Sequence, residues 1–433
     1  MNYPKVPEYQ KLINQFIEYS RLKHEYGAVG VDSVLNKLHE AIQSALEEIK
    51  ALPVDETLAK IEPNDYSEIL KLRPSGPRKM WTSFREEEYR EKVAGAFLGR
   101  LAGCTLGAPV EFLDVDVMEN WAKYNGDSYP PVDYWNKTIR PYVLRYNKSD
   151  FIEYTREAMD KVPADDDITY TLLGLLIAED YGLDFTTHQV GQAWVKYLPM
   201  ACTAEDIALK NLKAGIPANK AGEINNPYCE WIGADIRSDP FAYLAPAHPE
   251  KAAAMAYQDA FLSHRRNGVY GEMFFSATQS AAFAVDNPVD AIKIGLSEIP
   301  TDCSLAKAIR WALEEGRNLK NYKDARAAVD EHFVGMSGVH TNNNACLTIF
   351  GLMIGGTDVT RVISETVAMG LDNDCTAATA GSIVGAIAGK KGIAEHWYKP
   401  FNNKVITYIN DHEVFQIDDV IDRFTVQARK GFL

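Results

Sequence analysis

The sequence predicts an all-α fold: a large multi-helix orthogonal bundle over residues 85–433, preceded by a helical extension at residues 1–80. Three observations predict it. From residue 165 onward, apolar residues recur at helical spacing in one stretch after another. Period-two alternation is short wherever it occurs, and the run Val405 to Ile409 is its best example. Two apolar segments also carry glycine every fourth residue, the pattern of helices that cross at close range.

In the extension, Leu35, Leu38, Ile42, Leu46 and Ile49 repeat at helical spacing, with Asp32 or Ser33 as the expected N-cap and Pro53 beyond the end. No catalytic grouping lies there, so the expected role is a packing or dimerisation cap. Residues 73–79 hold two prolines and a glycine and read as a linker. Residues 114–160 are rich in Tyr, Trp, Pro and Asn and read as an ordered loop region, in which the aromatic stretch 129–143 is a candidate pocket wall. Helices follow at 168–180, 186–199, 250–265, 271–285, 288–297, 304–316, 343–355, 358–369 and 375–389. Pro288 suits a first helical position, and Gly182, Gly316 and Gly370 suit helix C-termini.

The glycine stripes are Gly95, Gly99, Gly103 and Gly107, and later Gly381, Gly385 and Gly389. Each glycine inside a helix costs about 1 kcal/mol relative to alanine, so a whole face of them needs a compensating close contact. If these helices cross each other, Glu111, just past the end of the first, falls near the start of the second. That start is itself acidic: Asp372-Asn373-Asp374 opens one apolar helix, and Asp165-Asp166-Asp167 opens another. One aspartate at a helix N-terminus is ordinary capping. Five at two such mouths would repel one another unless cations hold them, and hard oxygen donors without a His/Cys set favour Mg²⁺ or Mn²⁺.

Bulk properties narrow the alternatives. The 433 residues are 46% hydrophobic and 24% charged, ordinary for a globular chain. A net charge of −15 argues against nucleic-acid binding by a broad basic face. No membrane span is expected, because the apolar stretch 93–113 contains Arg100 and the stretch 375–389 is too short. The six cysteines show no CxxC pair, and a reducing cytoplasm is the expected location. The oligomeric state is left open.

Three segments together resemble the ADP-ribosylglycohydrolase family: GAFLGRLAGCTLGAPVE, DDDITYTLLGLLIAE and GLDNDCTAATAGSIVGAIAG. Weaker likeness lies in WIGADIR (231–237), SHRRNGVYGEMFFSA (263–277) and HWYKPF (396–401). The resemblance implies an all-α domain with a dinuclear Mg²⁺ or Mn²⁺ centre that hydrolyses the glycosidic bond of an ADP-ribosyl group. By that resemblance Asp165, Asp166, Asp167, Asp372, Asp374 and Cys375 stand at metal-ligand positions, and Glu111 stands at the acidic residue near the scissile bond. The chain departs from the family pattern at Asp165 and Cys375, where a hydroxyl is expected, at Ile168 and at Cys104.

Such chemistry needs a leaving-group proton and a positioned water. Glu111 is the expected acid or base, with Asp167 and Asp374 as further candidates. His264, Gly271, His340, Asn343 and Asn373 are candidates for touching the substrate. Two other readings remain at this level: a nucleoside or nucleotide ribohydrolase, and a non-catalytic ADP-ribose binder.

Overall fold

The structure, a computed structural model, describes residues 3–136 and 152–432. It divides into two compact units, residues 1–60 and 61–433. In the first unit the helices Tyr9–Glu25 and Val31–Lys50 are joined by a turn in which Gly27 and Gly30 take positive φ. The second helix starts at Val31, earlier than Asp32 or Ser33 would set it, because left-handed Gly30 redirects the chain there. No described residue of this unit is buried.

The second unit is built from helices, as the periodicity predicts, with one small sheet. Lys404–Ile406 pairs antiparallel with Val414–Gln416, setting Val405 opposite Phe415. Two helices form the axis of the core: Glu86–Gly107, whose Tyr89 and all residues from Val93 onward are buried, and Asn373–Ala388. They run antiparallel with almost nothing between their backbones. A Cβ added at Gly95 would overlap the Gly385 carbonyl oxygen, one at Gly99 that of Gly381, and one at Gly103 that of Ala377. At the far end, a Cβ on Gly107 would collide with the backbone of Asp374. The segment Glu86–Val110 is long and apolar enough to cross a membrane, yet its apolar window is wholly enclosed by protein.

Around this pair stand Asp166–Tyr181, Asn267–Ala282 and Thr341–Gly355. Asn267–Ala282 is buried along its whole length, which explains why its apolar residues show no single face. Asn287 accepts from Asp290 N–H with Pro288 in the first turn, as the sequence suggested.

Two local expectations need correction. Within the stretch expected as loop, Val115–Asn125 is a helix, closed by left-handed Gly126. Its apolar contacts come from Met118 and Ala122, and Trp121 stacks on Trp135 at 5.3 Å. Trp135 Nε1 donates to the Leu106 carbonyl at 2.9 Å, so this aromatic region braces the end of the first glycine helix. The part of the expected aromatic wall at 137–143 lies outside the described residues. The proline-rich stretch 73–79 belongs to the second unit, where Arg73 and Arg78 pair with buried Glu298 at 2.5 and 2.6 Å.

Substituting Gly99 with alanine tests the helix crossing. Alanine improves helix propensity by about 1 kcal/mol, but its methyl has no room beside Gly381. The overpacking cost, typically about 1–3 kcal/mol beyond what is gained, should dominate. The variant should therefore denature at a lower denaturant midpoint, and an unchanged or raised midpoint would contradict the close approach.

Candidate functional site

The tight crossing decides where the acidic residues go. Glu111 follows the 3-10 turn Ala108–Val110 at the end of the first glycine helix. The next residue, Phe112, donates its N–H to the Leu371 carbonyl at 3.0 Å, immediately before Asp372. Phe112 and Leu371 both adopt positive φ, 57° and 59°, an uncommon and costly state for such side chains. This strained pair ties Glu111 to the mouth of the second glycine helix.

Three overlapping sets of donor atoms result, each set within 4.8 Å: Asp165, Asp166 and Asp167; Asp167, Asp374 and Cys375; Glu111, Asp372 and Asp374. Asp165 caps the helix Asp166–Tyr181 by accepting the Asp167 N–H at 3.0 Å. Asp167 is fully buried. One of its oxygens accepts from Arg100 at 3.0 Å and the other from the Cys375 thiol at 3.1 Å. Asp372 and Asp374 are buried, and each has an oxygen Oδ1 without a hydrogen-bond partner. Glu111 is the exposed residue of the group as a whole, while its carboxyl lies against those of Asp372 and Asp374 and loses water there.

Arg100 is the cation that the sequence leaves unassigned. It is completely buried and spends every donor group: on Thr171 at 2.7 Å, on Asp239 at 2.8 Å, on the carbonyls of Asp167 and Ile236, and on the Asp167 carboxylate. It neutralises part of the cluster and orients Asp167. Its one charge is shared with Asp239, so the remaining carboxylates stay crowded.

Their acidity reflects this. Loss of water around its carboxyl, then repulsion from Asp372, Asp165 and Asp166, pushes Glu111 up to about 9. Burial and Asp166 raise Asp165 to about 7, and burial raises Asp372 to about 6. Burial holds Asp167 and Asp374 well above the ordinary carboxylate range, with Arg100 opposing the shift at Asp167. Orphaned inward oxygens in a carboxylate-rich set are what a hard divalent cation satisfies. The donor set therefore fits such an ion, with the Cys375 sulfur as its one soft member.

The other candidate residues are placed differently. Asn373 is buried, and its amide donates to the Val367 carbonyl at 3.0 Å. His340 caps the helix Thr341–Gly355, accepting the Asn342 N–H at 3.1 Å, and burial and then Arg266 depress it to about 4. Asn343 donates to the Ser337 carbonyl and accepts from Asn344 N–H. His264 is buried, with Nδ1 2.8 Å from Ser263 Oγ, and lies beside Arg237. His340 and Asn343 are absorbed by local bonding, whereas buried Asn373 Oδ1 and His264 Nε2 have no hydrogen-bond partner among the described residues. A Cβ on Gly271 would overlap the carboxylate of Asp235, so this glycine makes space for an acid.

Asp235 is a residue the sequence reasoning missed. It lies in the turn Ile232–Arg237 and is buried, its carboxylate close to Gly271 and Thr341; burial and, among its neighbours, Asp372 push it up, and Thr341 opposes the shift. Nearby, Arg237 gathers Glu205 at 2.6 Å, Asp259 at 2.5 Å and Glu272 at 3.4 Å into a second buried ionic group. The available signal was the pair of charges inside an otherwise apolar WIGADIR stretch.

An all-α bundle whose two central helices deliver converging carboxylates defines a class: proteins built around an acidic, cation-competent centre. The ADP-ribosylglycohydrolase family profile matches residues 85–429, and the chain belongs to that family. Membership supports glycosyl hydrolase activity on ADP-ribosyl compounds. No curated protein matches the chain. A solved structure described as an "ADP-ribosylglycohydrolase-related protein complex" is 17% identical, covering 80% of this chain and all of that chain at a TM-score of 0.49.

The raised carboxyls give a signed pH dependence. A carboxyl whose folded pKa exceeds its unfolded value, about 4, binds its proton more tightly when folded. Stability from these groups is therefore complete below about pH 4 and falls as pH rises through 6, 7 and 9, the values of Asp372, Asp165 and Glu111. A divalent cation replaces those protons. Thermal unfolding in chelator should show a falling Tm over that window, and added Mg²⁺ or Mn²⁺ should raise Tm more at alkaline than at acid pH. A cation effect independent of pH would contradict the assignment.

Proposed function

We propose that this protein hydrolyses the glycosidic bond at the anomeric carbon of an ADP-ribosyl compound, using a Mg²⁺ or Mn²⁺ centre, expected to be dinuclear. The observation that carries the reading is the convergence of Glu111 with Asp372 and Asp374, whose buried oxygens are left without partners. Asp165, Asp166, Asp167, Asp372, Asp374 and Cys375 would hold the metal. Bound there, it would supply Lewis acidity, lowering the pKa of a coordinated water and clamping sugar hydroxyls.

The chain's own residues divide the remaining work. Asp167 is committed on both oxygens, to Arg100 and to Cys375, so it is poorly free to shuttle a proton. Asp374 sits between two of the donor sets. Glu111 is exposed and, raised to about 9, carries a proton at neutral pH until a cation draws it off. It is the group best suited to give a proton to the leaving atom, or to take one from water once ionised. Arg100 keeps Asp167 fixed throughout. A small or protein-linked ADP-ribosyl substrate fits this reading, as does a reducing cytoplasm for six cysteines that are all free.

Two substitutions separate binding from chemistry. Asp374→Ala should weaken Mn²⁺ binding in calorimetry and abolish turnover of ADP-ribosyl substrates. Glu111→Gln should keep metal binding while slowing turnover about 10²–10⁴-fold, the usual share of a general acid or base. Full activity in Asp374→Ala would refute the proposal.

A further inference from the structure

We infer that the N-terminal hairpin is a self-association module: two copies of Tyr9–Glu25 and Val31–Lys50 pair face to face into a four-helix bundle that dimerises the chain.

The first observation is where the apolar surface lies. Of the twenty-six large hydrophobic side chains exposed among the described residues, fifteen fall within the first 54 positions. They are not scattered singly, which would need no explanation. On the helix Val31–Lys50, exposed Val34, Leu35, Ile42, Leu46 and Ile49 share one face. The opposite face carries Lys37, Glu40, Gln43, Ser44, Glu47 and Lys50. Leu12 and Tyr19, seven residues apart and so on one face, add an apolar strip on Tyr9–Glu25.

The pattern of that face selects a bundle. Taking Leu35, Ile42 and Ile49 as heptad position a, Leu38 and Ala45 fall at d, Leu46 at e, and Val34 and Ala41 at g. A stripe that includes e and g is wider than the a/d seam of a two-stranded coil and suits a helix packed against two neighbours. One hairpin supplies two helices. A second copy supplies the other two, and a two-fold axis makes the same patch serve both sides.

Area and charge agree. The seven side chains named as exposed on the two helices are 37–68% accessible. Taken together they offer roughly 600 Å² of apolar surface per copy, so that two copies would bury about 1,200 Å², the lower end of the range for stable interfaces. Residues 1–60 contain seven basic and nine acidic side chains, a net −2, so charge opposes the pairing of two copies only weakly. The same balance disfavours a lipid surface, since an interfacial helix needs a basic polar face and this one is mixed.

The test uses the full chain. Sedimentation velocity across a concentration series should give a species of twice 48.3 kDa. Ile42→Glu combined with Leu46→Glu should raise the dissociation constant at least 100-fold, leaving a monomer with wild-type helicity and thermal unfolding of the second unit. Gln43→Glu, on the polar face, should leave the dimer intact and controls for added charge. A wild-type chain that stays monomeric throughout, or an Ile42/Leu46 variant that still dimerises, would overturn the inference. So would wild-type protein that is monomeric and floats with phosphatidylserine vesicles. None of these outcomes bears on the chemistry proposed for the acidic centre.

Discussion

The backbone-to-backbone contact between Glu86–Gly107 and Asn373–Ala388 is the constraint on which the rest of the second unit depends. Helices ordinarily pack with axes 8–10 Å apart because side chains hold them off. Here Gly95, Gly99 and Gly103 face Gly385, Gly381 and Ala377, and each carbonyl occupies the space a methyl would take. The propensity cost of that glycine stripe is recovered through close dispersion contact along several turns. Its larger consequence is positional. Because Gly107 lies against Asp374, the exit of one helix and the entry of the other are the same place, and Glu111 reaches the acidic mouth without a long loop.

The electrostatics of the core follow from that geometry. Several carboxylates are brought where water is scarce, and among the described residues Arg100 is the guanidinium bonded to them. Arg100 emerges from the glycine helix itself, one position past Gly99, so the contact that creates the charge problem also places its partial remedy. The remedy is incomplete: Asp372 and Asp374 keep unsatisfied oxygens, and Glu111 is pushed to about 9. A neutral, fully paired core would be more stable, but it would have nothing to offer a cation. The strained φ values at Phe112 and Leu371 belong to the same trade, in which local cost is accepted to fix a functional geometry.

What was legible in the sequence was whatever is set by spacing along one helix. The glycine stripes, the acidic mouths and the run of helices beyond residue 165 are all periodic or terminal features, and the fold displays them. Residues whose meaning depends on where a side chain turns were not legible. His340 Nδ1 and the Asn343 amide lie beside the right motif, yet they go to nearby backbone groups, because a helix entrance offers several donors and acceptors to any side chain there, while Asn373 Oδ1 stays unpartnered among the described residues. Arg100 was visible only as a charge in an apolar run; its partners lie 67 and 139 positions away. The helix Val115–Asn125 was hidden by neighbouring Tyr, Trp and Pro residues, although Met118 and Ala122 carry the helical spacing.

Of the four departures from the family's pattern, the two at hydroxyl positions are more conservative in structure than in chemistry. Asp165, where a hydroxyl is expected by resemblance, still does what a Ser or Thr would do at that place: it caps the helix by accepting the Asp167 N–H. Cys375 likewise still donates a hydrogen bond to Asp167, as a hydroxyl would. Both replacements leave the local bonding intact, which explains why the site tolerates them. Their effects on a bound cation oppose each other. A third adjacent carboxylate adds a hard, charged donor, while sulfur in place of oxygen removes one. At the proposed centre the Asp165–Asp167 side would then offer a divalent ion the harder donors and the Asp374–Cys375 side the softer ones.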